Sequence, residues 1–236
     1  MPATFYIIYS KDQEETINIL NMQNQIIIPL FPLEVVLFPD LPLPLHIFEE
    51  RYKIMIADCL QNNLDFGVVY NRDNRIKEIG CTARIVQVNK KYEDGRLDIL
   101  VQGNYRFKIE EILRDKTYLQ SRVHYIDDLD GWDEVNIQTL VDTGVLLLED
   151  LEQIALDRQE MKFVKGLNHK VVSFILAGIS GFSLDQKQKI LEMTSTAERL
   201  RLGIEQLQQI VAHARIKSNL EKQNEKIRTF KGFSVN

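Results

Sequence analysis

IIIPLFPLEVVLFPDLPLPLHIFEERY, residues Ile26–Tyr52, holds five of the chain's six prolines: Pro29, Pro32, Pro39, Pro42 and Pro44. Nearly every residue between them is large and apolar. Proline fixes φ at about −65°, removes a backbone donor and pushes the preceding residue towards extended geometry. The stretch therefore cannot be one helix, and it does not read as a central strand. It predicts a short strand over Ile26–Leu30, then stiff extended turns, then a helix once the prolines stop, with His46 at its beginning. Large apolar side chains on so rigid a backbone make a fixed framework.

Downstream, Phe48, Tyr52, Met55, Ile56, Cys59 and Leu60 recur at three- and four-residue intervals, one stripe of an amphipathic helix. Glu49 and Glu50 suit the start of that helix, and Asn62-Asn63 its end. Short strand patterns follow. Phe66–Tyr70 is an apolar run, Asn71–Asn74 a turn, and Cys81–Asn89 alternates with Ala83, Ile85 and Gln87 on one face. Glu93-Asp94-Gly95 marks a hairpin, Leu97–Gln102 alternates, Gly103-Asn104 reads as another turn, and Tyr105–Ile112 and Leu119–Tyr125 are further strands. Such a series argues for a curled antiparallel sheet or barrel with one packed helix.

The pattern changes at Asp127–Asp133 (DDLDGWD), an acidic, glycine-containing segment that reads as a boundary. A wide helical stripe runs from Val135 to about Asp157, and Asn168–Ala177 is a second, mostly apolar helix. Ser183-Leu-Asp-Gln186 and Ser195-Thr-Ala-Glu198 are capping boxes, opening a short helix and then a long one towards Arg228. The chain thus divides into an uncertain extension over residues 1–25, a β part over 26–126, a helical bundle over 127–229 and a tail over 230–236. That order, strands and then helices, is α+β. Thr4–Tyr9 has the composition of an added edge strand, and Met22 marks where a shorter chain would start.

With 236 residues, 44% hydrophobic and 27% charged, the chain has the composition of a globular domain able to bury a full core. A net charge of −5 gives no overall electrostatic footprint for nucleic acid or anionic lipid. No apolar run of ~18 residues is present for a membrane span, and the start lacks the basic-then-apolar order of a signal peptide. Cytoplasm is the default expectation. Cys59 and Cys81 have no Cys or His close in sequence and read as buried, reduced thiols.

Motifs for chemistry are missing. There is no phosphate-binding loop, dinucleotide fingerprint, nucleophile elbow or H-E-x-x-H pair. His46, His124, His169 and His213 are isolated in sequence; His46, beside the prolines, is the one placed to meet a ligand. Arg215, Lys217, Lys222, Lys226, Arg228 and Lys231 make a mildly basic final helix without an aromatic ladder, which reads as a solvated face. The residues ask for no cofactor and no metal, and they favour a binding or structural protein over an enzyme.

Several of these segments together resemble a known family. The proline-studded opening, then DCLQNNLDFGVV, IGCTARI, DGRLDILVQGNYRFKI and KQKILEMTSTAERLRLGIEQL, is similar to the substrate-binding amino-terminal domain of the ATP-dependent Lon protease, over about Ile26–Ile216. One departure is Glu50, where family members often carry proline. The resemblance implies a PUA-like β barrel joined to a helical bundle, standing alone without ATPase or peptidase modules, and binding unfolded or specific protein segments. A weak homo-oligomer is an open alternative. The apolar richness of the opening makes Phe31, Leu33, Phe38, Leu41, Leu43 and His46 the candidate binding surface. RNA binding through the PUA-like fold is the second reading, and a small-molecule enzyme the third.

Overall fold

The computed structural model describes residues 26–129, 134–155, 166–178 and 181–232. Expectations for the extension before Ile26, for Asp130–Asp133, for residues 156–165 and for the last four residues lie outside them. Seven strands come first, interrupted by one helix: β1 Ile26–Leu33, β2 Pro42–Ile47, α1 Glu50–Asn62, β3 Phe66–Arg72, β4 Arg75–Ile76, β5 Ile79–Lys91, β6 Leu97–Leu113 and β7 Gln120–Tyr125. Four helices follow: α2 Glu134–Ala155, α3 His169–Gly178, α4 Leu184–Glu192 and α5 Thr196–Gly232. The α+β order holds.

The strands run β1-β7-β6-β5-β3, and a parallel β1–β3 pairing closes them into a barrel. All other pairings are antiparallel. The prolines of β1 fit because the strand changes neighbour along its length. Ile26–Pro29 pairs with β7, and Leu30–Leu33 pairs with β3. The opening stretch also holds more strand than its prolines suggested. Pro42–Ile47 is not a turn but an edge strand laid on β6, from Pro42↔Gln102 to Ile47↔Leu97. Edge strands tolerate a missing donor, and proline there blunts further strand pairing. His46 therefore sits on β2, not on a helix.

The helix starts later, at Glu50. Its N-cap, Glu49, has φ −73° and ψ 136° and makes no side-chain cap bond. Proline is favoured at the first helical position, and the extended Glu49 satisfies the restriction on a preceding residue. Glu50→Pro is accordingly expected to fold with stability within about 1 kcal/mol of the parent, against roughly 3 kcal/mol for proline inside a helix. The lost Lys53–Glu50 contact is a surface pair, and Lys53 Nζ keeps the Asp94 carbonyl at 2.9 Å. Urea denaturation decides it; a loss of several kcal/mol would contradict this account of the helix start.

Two strand readings are corrected. β6 runs unbroken through Gly103-Asn104, where the sequence suggested a turn. The glycine is used for close approach: Gly103 N donates to Leu41 O at 3.0 Å, and Asp40 N donates to Gly103 O at 2.9 Å. In β5 the alternation slips. Register shifts at Ile85/Gln87 and Val88/Lys90 bring both Ile85 and Val88 against the main core and leave Gln87 exposed. An extra residue in one strand turns the following side chains over. On α1, Tyr52, Met55, Ile56 and Cys59 are buried as the stripe predicts, but Leu60 is 43% exposed, and Phe48, which precedes the helix, is 59% exposed.

Barrel and bundle share one core. Phe38, Ile47, Met55, Ile56, Val68 and Val101 cluster with Phe174 and Ala177 of α3 and with Ile190 and Leu191 of α4. A second cluster lies within α2, α3 and α5, around Leu148, Val172, Leu200 and Leu207. The Ser183–Gln186 capping box forms with both bonds. Ser195 Oγ accepts the Glu198 amide at 3.3 Å.

At the seam between the two parts lies a buried ionic cluster. Arg106 of β6, Arg199 of α5 and Asp128 have side chains 1%, 0% and 4% exposed. Asp128 Oδ1 accepts from Arg106 and, at 2.8 Å, from Arg199 Nη1. Its Oδ2 accepts from Arg199 Nη2 and, at 2.7 Å, from Thr196 Oγ1. Arg106 also donates to Leu191 O at 2.9 Å, and Arg199 to Met193 O at 2.9 Å and Ser173 Oγ at 3.0 Å. Both guanidinium groups lie over Phe174, whose ring stacks on Phe38. Burial pushes the Asp128 carboxyl upward, but its bonds from Arg199 and Thr196 and the two arginine charges together hold it below 3.8.

Candidate functional site

A cleft of about 470 Å3 opens where the end of β1, the β2–α1 junction, the β3–β4 hairpin and the residues after β6 meet. Each wall follows from the opening stretch or from a turn. Phe31, Pro32 and Leu33 end β1; Leu45, His46 and Ile47 end β2; Phe48, Glu49, Arg51 and Tyr52 lead into α1. Asn71 and Asn74 come from the β3–β4 hairpin, whose Asp73 and Asn74 have φ of 52° and 59°. Asp and Asn are the side chains that best tolerate this left-handed pair.

The floor is apolar and rigid. Phe31, Ile47 and Tyr52 are 5%, 1% and 6% exposed, and the Phe31 and Tyr52 rings pack at 4.1 Å between centroids. The rim is polar and aromatic. His46 Nδ1 lies 2.6 Å from Asp98 Oδ1, and the Tyr92 hydroxyl donates to Asp98 Oδ2 at 2.8 Å. The bond to His46, followed by that from Tyr92, holds the Asp98 carboxyl below its ordinary range. The carboxylate can only accept, so His46 Nδ1 donates to it. Phe48 stands beside His46 with ring centroids 6.0 Å apart. Arg51 lies over Tyr52 at 4.5 Å and pairs with Glu49 at 2.8 Å.

Of the six residues proposed from sequence, Phe31, Leu33 and His46 line this cleft. The other three point elsewhere. Phe38 is 2% exposed and stacks on Phe174 at 5.6 Å; Leu41 packs on Gly178; Leu43 is half-buried beside the main core. Phe38 and Leu41 join barrel to bundle. Sequence reasoning missed Asn71, Asn74 and Arg114, which no local pattern marks, and it placed Phe48 in a buried stripe.

The lining contains no Ser, Thr, Cys or Lys, and its carboxylate and phenol groups are Glu49 and Tyr52. Cys59 and Cys81 are free and buried in the core; burial pushes the Cys59 thiol up to about 12 and raises Cys81 as well. Among the described residues, no three His, Cys, Asp or Glu side chains converge as metal ligands. None of the described helices is long and apolar enough to cross a membrane.

Comparison with known proteins sets this cleft in a family. The family model described as the substrate-binding domain of the ATP-dependent protease La (Lon) matches residues 27–209. The chain belongs to the Lon substrate-binding domain family. The Lon protease of Anaeromyxobacter dehalogenans is 27% identical over 194 residues, covering 77% of this chain and 23% of that protein. Lon protease 2 of Myxococcus xanthus matches to the same extent. The chain therefore spans about a quarter of the length of these relatives, over the substrate-binding region. Among solved structures, the amino-terminal domain of the Mycobacterium avium complex Lon protease has a TM-score of 0.65 at 19% identity, covering 78% of this chain and 98% of that one. A Lon amino-terminal domain protein of Xanthomonas campestris has a TM-score of 0.57 at 25% identity, with 75% and 96% covered. The barrel-plus-bundle architecture is thus that of Lon amino-terminal domains. All the elements that wall the cleft fall inside the matched Lon-type region.

Proposed function

We propose that this protein binds extended apolar segments of other proteins in the cleft between β1, β2 and α1, acting as a recognition module without chemistry of its own. The observation that carries the reading is the cleft itself. It pairs a rigid apolar floor with a 59% exposed phenylalanine, Phe48, on its rim, in a domain family described as substrate-binding. A large exposed aromatic beside a preformed concavity is the usual anchor of a binding hot spot.

RNA binding has one feature in its favour, the β5–β6 hairpin, where Lys90 and Arg96 lie over Tyr92 at 4.4 and 4.9 Å. Carboxylates stand among these cations: Asp94 pairs with Arg96 at 2.7 Å, and Asp98 bonds Tyr92. The hairpin therefore lacks the net positive field that phosphate recognition needs.

Fluorescence anisotropy with a labelled, permanently unfolded polypeptide tests the proposal. Phe48→Ala is expected to weaken binding about tenfold or more. Leu220→Ala, at an exposed apolar position on α5, is expected to leave it unchanged. Equal binding by parent and Phe48→Ala would remove the cleft from the account. A single-stranded RNA probe that binds more tightly than the polypeptide would replace it.

A further inference from the structure

The exposed anchor of the cleft is supported from a hairpin that does not line it. Phe48 lies in the short connection between β2 and α1 and is largely exposed. An aromatic side chain left in water loses rotamer freedom when a ligand immobilises it, and that ordering subtracts from affinity. One face of this ring is already taken. The His46 ring stacks beside it, with 6.0 Å between centroids and 23° between planes.

A free imidazole would turn with its neighbour; this one is fixed. His46 of β2 stands opposite Asp98 of β6, so the two side chains share one face of the sheet. Asp98 Oδ1 accepts from His46 Nδ1 at 2.6 Å, and Oδ2 accepts from the Tyr92 hydroxyl at 2.8 Å, so both carboxylate oxygens are engaged. The Tyr92 ring meets His46 edge to face at 5.9 Å, and Lys90 and Arg96 lie over it at 4.4 and 4.9 Å. The turn beyond Tyr92 is closed by its amide, which donates to Arg96 O at 2.9 Å, and tied to α1 by Lys53 Nζ, which donates to Asp94 O at 2.9 Å. A continuous series of contacts thus runs from the β5–β6 hairpin through Asp98 and His46 to Phe48. Asp98, Tyr92, Lys90 and Arg96 all lie outside the cleft lining.

From this we infer that Asp98 and His46 are positioning residues for Phe48: Asp98 holds the imidazole, and the imidazole holds the phenyl ring in the orientation that meets a ligand. Asp98 acts through His46 and touches no ligand. The inference rests on the proposed binding function and adds to it the device that prepares the anchor.

The test uses the full chain and the fluorescein-labelled, permanently unfolded polypeptide. Asp98→Ala is expected to weaken binding about fivefold, the ordering of one side chain. Asp98→Asn keeps an acceptor for His46 Nδ1 and should stay within about twofold of the parent. The double variant Phe48→Ala/Asp98→Ala should bind no more weakly than Phe48→Ala alone, because a positioning residue has nothing to position once the ring is gone. The His46 and Asp98 side chains are 44% and 34% exposed, so the thermal melt of Asp98→Ala should match the parent and show that the loss is not unfolding. Parental affinity in Asp98→Ala, while Phe48→Ala still weakens binding, would overturn the positioning role and leave the binding function standing. So would additive losses in the double variant, which would put Asp98 in contact with the ligand, or a loss in Asp98→Asn as large as in Asp98→Ala. Failure of the parent to bind the polypeptide would overturn both.

Discussion

Replacing Asp128 with asparagine is expected to remove about 3–5 kcal/mol of folding stability, the cost of leaving a buried ion pair with its counter-charge missing. The substitution keeps the shape of the side chain and deletes only its charge. It leaves Arg106 and Arg199, 1% and 0% exposed, facing each other across one neutral amide. Asparagine keeps one acceptor oxygen: with its amide nitrogen in place of Oδ2 the bonds from Thr196 Oγ1 and Arg199 Nη2 lose their acceptor, and with it in place of Oδ1 those from Arg106 and Arg199 Nη1 do. The loss is a large part of the roughly 5–15 kcal/mol typical of a domain. Because the cluster joins β6 to α3, α4 and α5, it should weaken barrel and bundle together. The pH dependence has a definite sign. The folded carboxyl titrates below the ordinary value of 3.8, so the stability that Asp128 contributes is present above that value and is lost as pH falls through the folded pKa. Urea denaturation at neutral pH and at descending acid pH measures both effects. The parent should weaken below about pH 4, and Asp128→Asn should have a flatter acid limb. A variant within about 1 kcal/mol of the parent would show that the arginines are not held by this charge.

Gly103→Ala is the second large effect. A Cβ built there stands 2.0 Å from Phe38 O and 2.8 Å from Phe38 C, with Cys81 Sγ at 3.2 Å. The obstructing atoms are backbone, and they cannot rotate away. β6 cannot withdraw either without breaking the Gly103 N–Leu41 O and Asp40 N–Gly103 O bonds. Overpacking by one methyl costs about 1–3 kcal/mol, and each lost bond adds about 0.5–1.5 kcal/mol. More than about 3 kcal/mol is expected in all, with much reduced recovery of folded protein. Gly144→Ala supplies the contrast. Its Cβ meets Leu176 Cδ1 at 2.9 Å, the far end of a side chain that can shift, and alanine recovers about 1 kcal/mol of helix propensity. If both variants melt alike, the close approach at Gly103 is not what positions the turn at Asp40.

The strand and helix pattern was legible because it depends on neighbours in sequence. The α1 stripe, the Ser183–Gln186 box and the order of strands before helices all follow from periodicity and local hydrogen bonding. The errors fell where distant chain segments decide. Pro42 and Pro44 read as turns because nothing local says that β6 lies on only one side of them. Gly103 read as a turn because the carbonyl it admits, Phe38 O, is 65 residues away in sequence. Arg106, Asp128 and Arg199 lie far apart in sequence with nothing local to mark them as partners, and DDLDGWD read as an acidic boundary. The structure buries Asp128 between two arginines.

The cleft shows the same division. Ile26–Tyr52 by itself determined the stiff apolar frame, because proline restricts its own backbone and apolar side chains leave water whatever surrounds them. It supplied Phe31, Leu33 and His46 to one side of the cleft. Which of its side chains face a partner and which face the bundle was settled only in three dimensions. Phe38 met Phe174 and was buried, while Phe48 met no core and stayed exposed. Asn71 and Arg114 joined the site because barrel closure brings the ends of β3 and β6 to the end of β1. Burial and convergence depend on the whole set of contacts, and no stretch of sequence carries that set within itself.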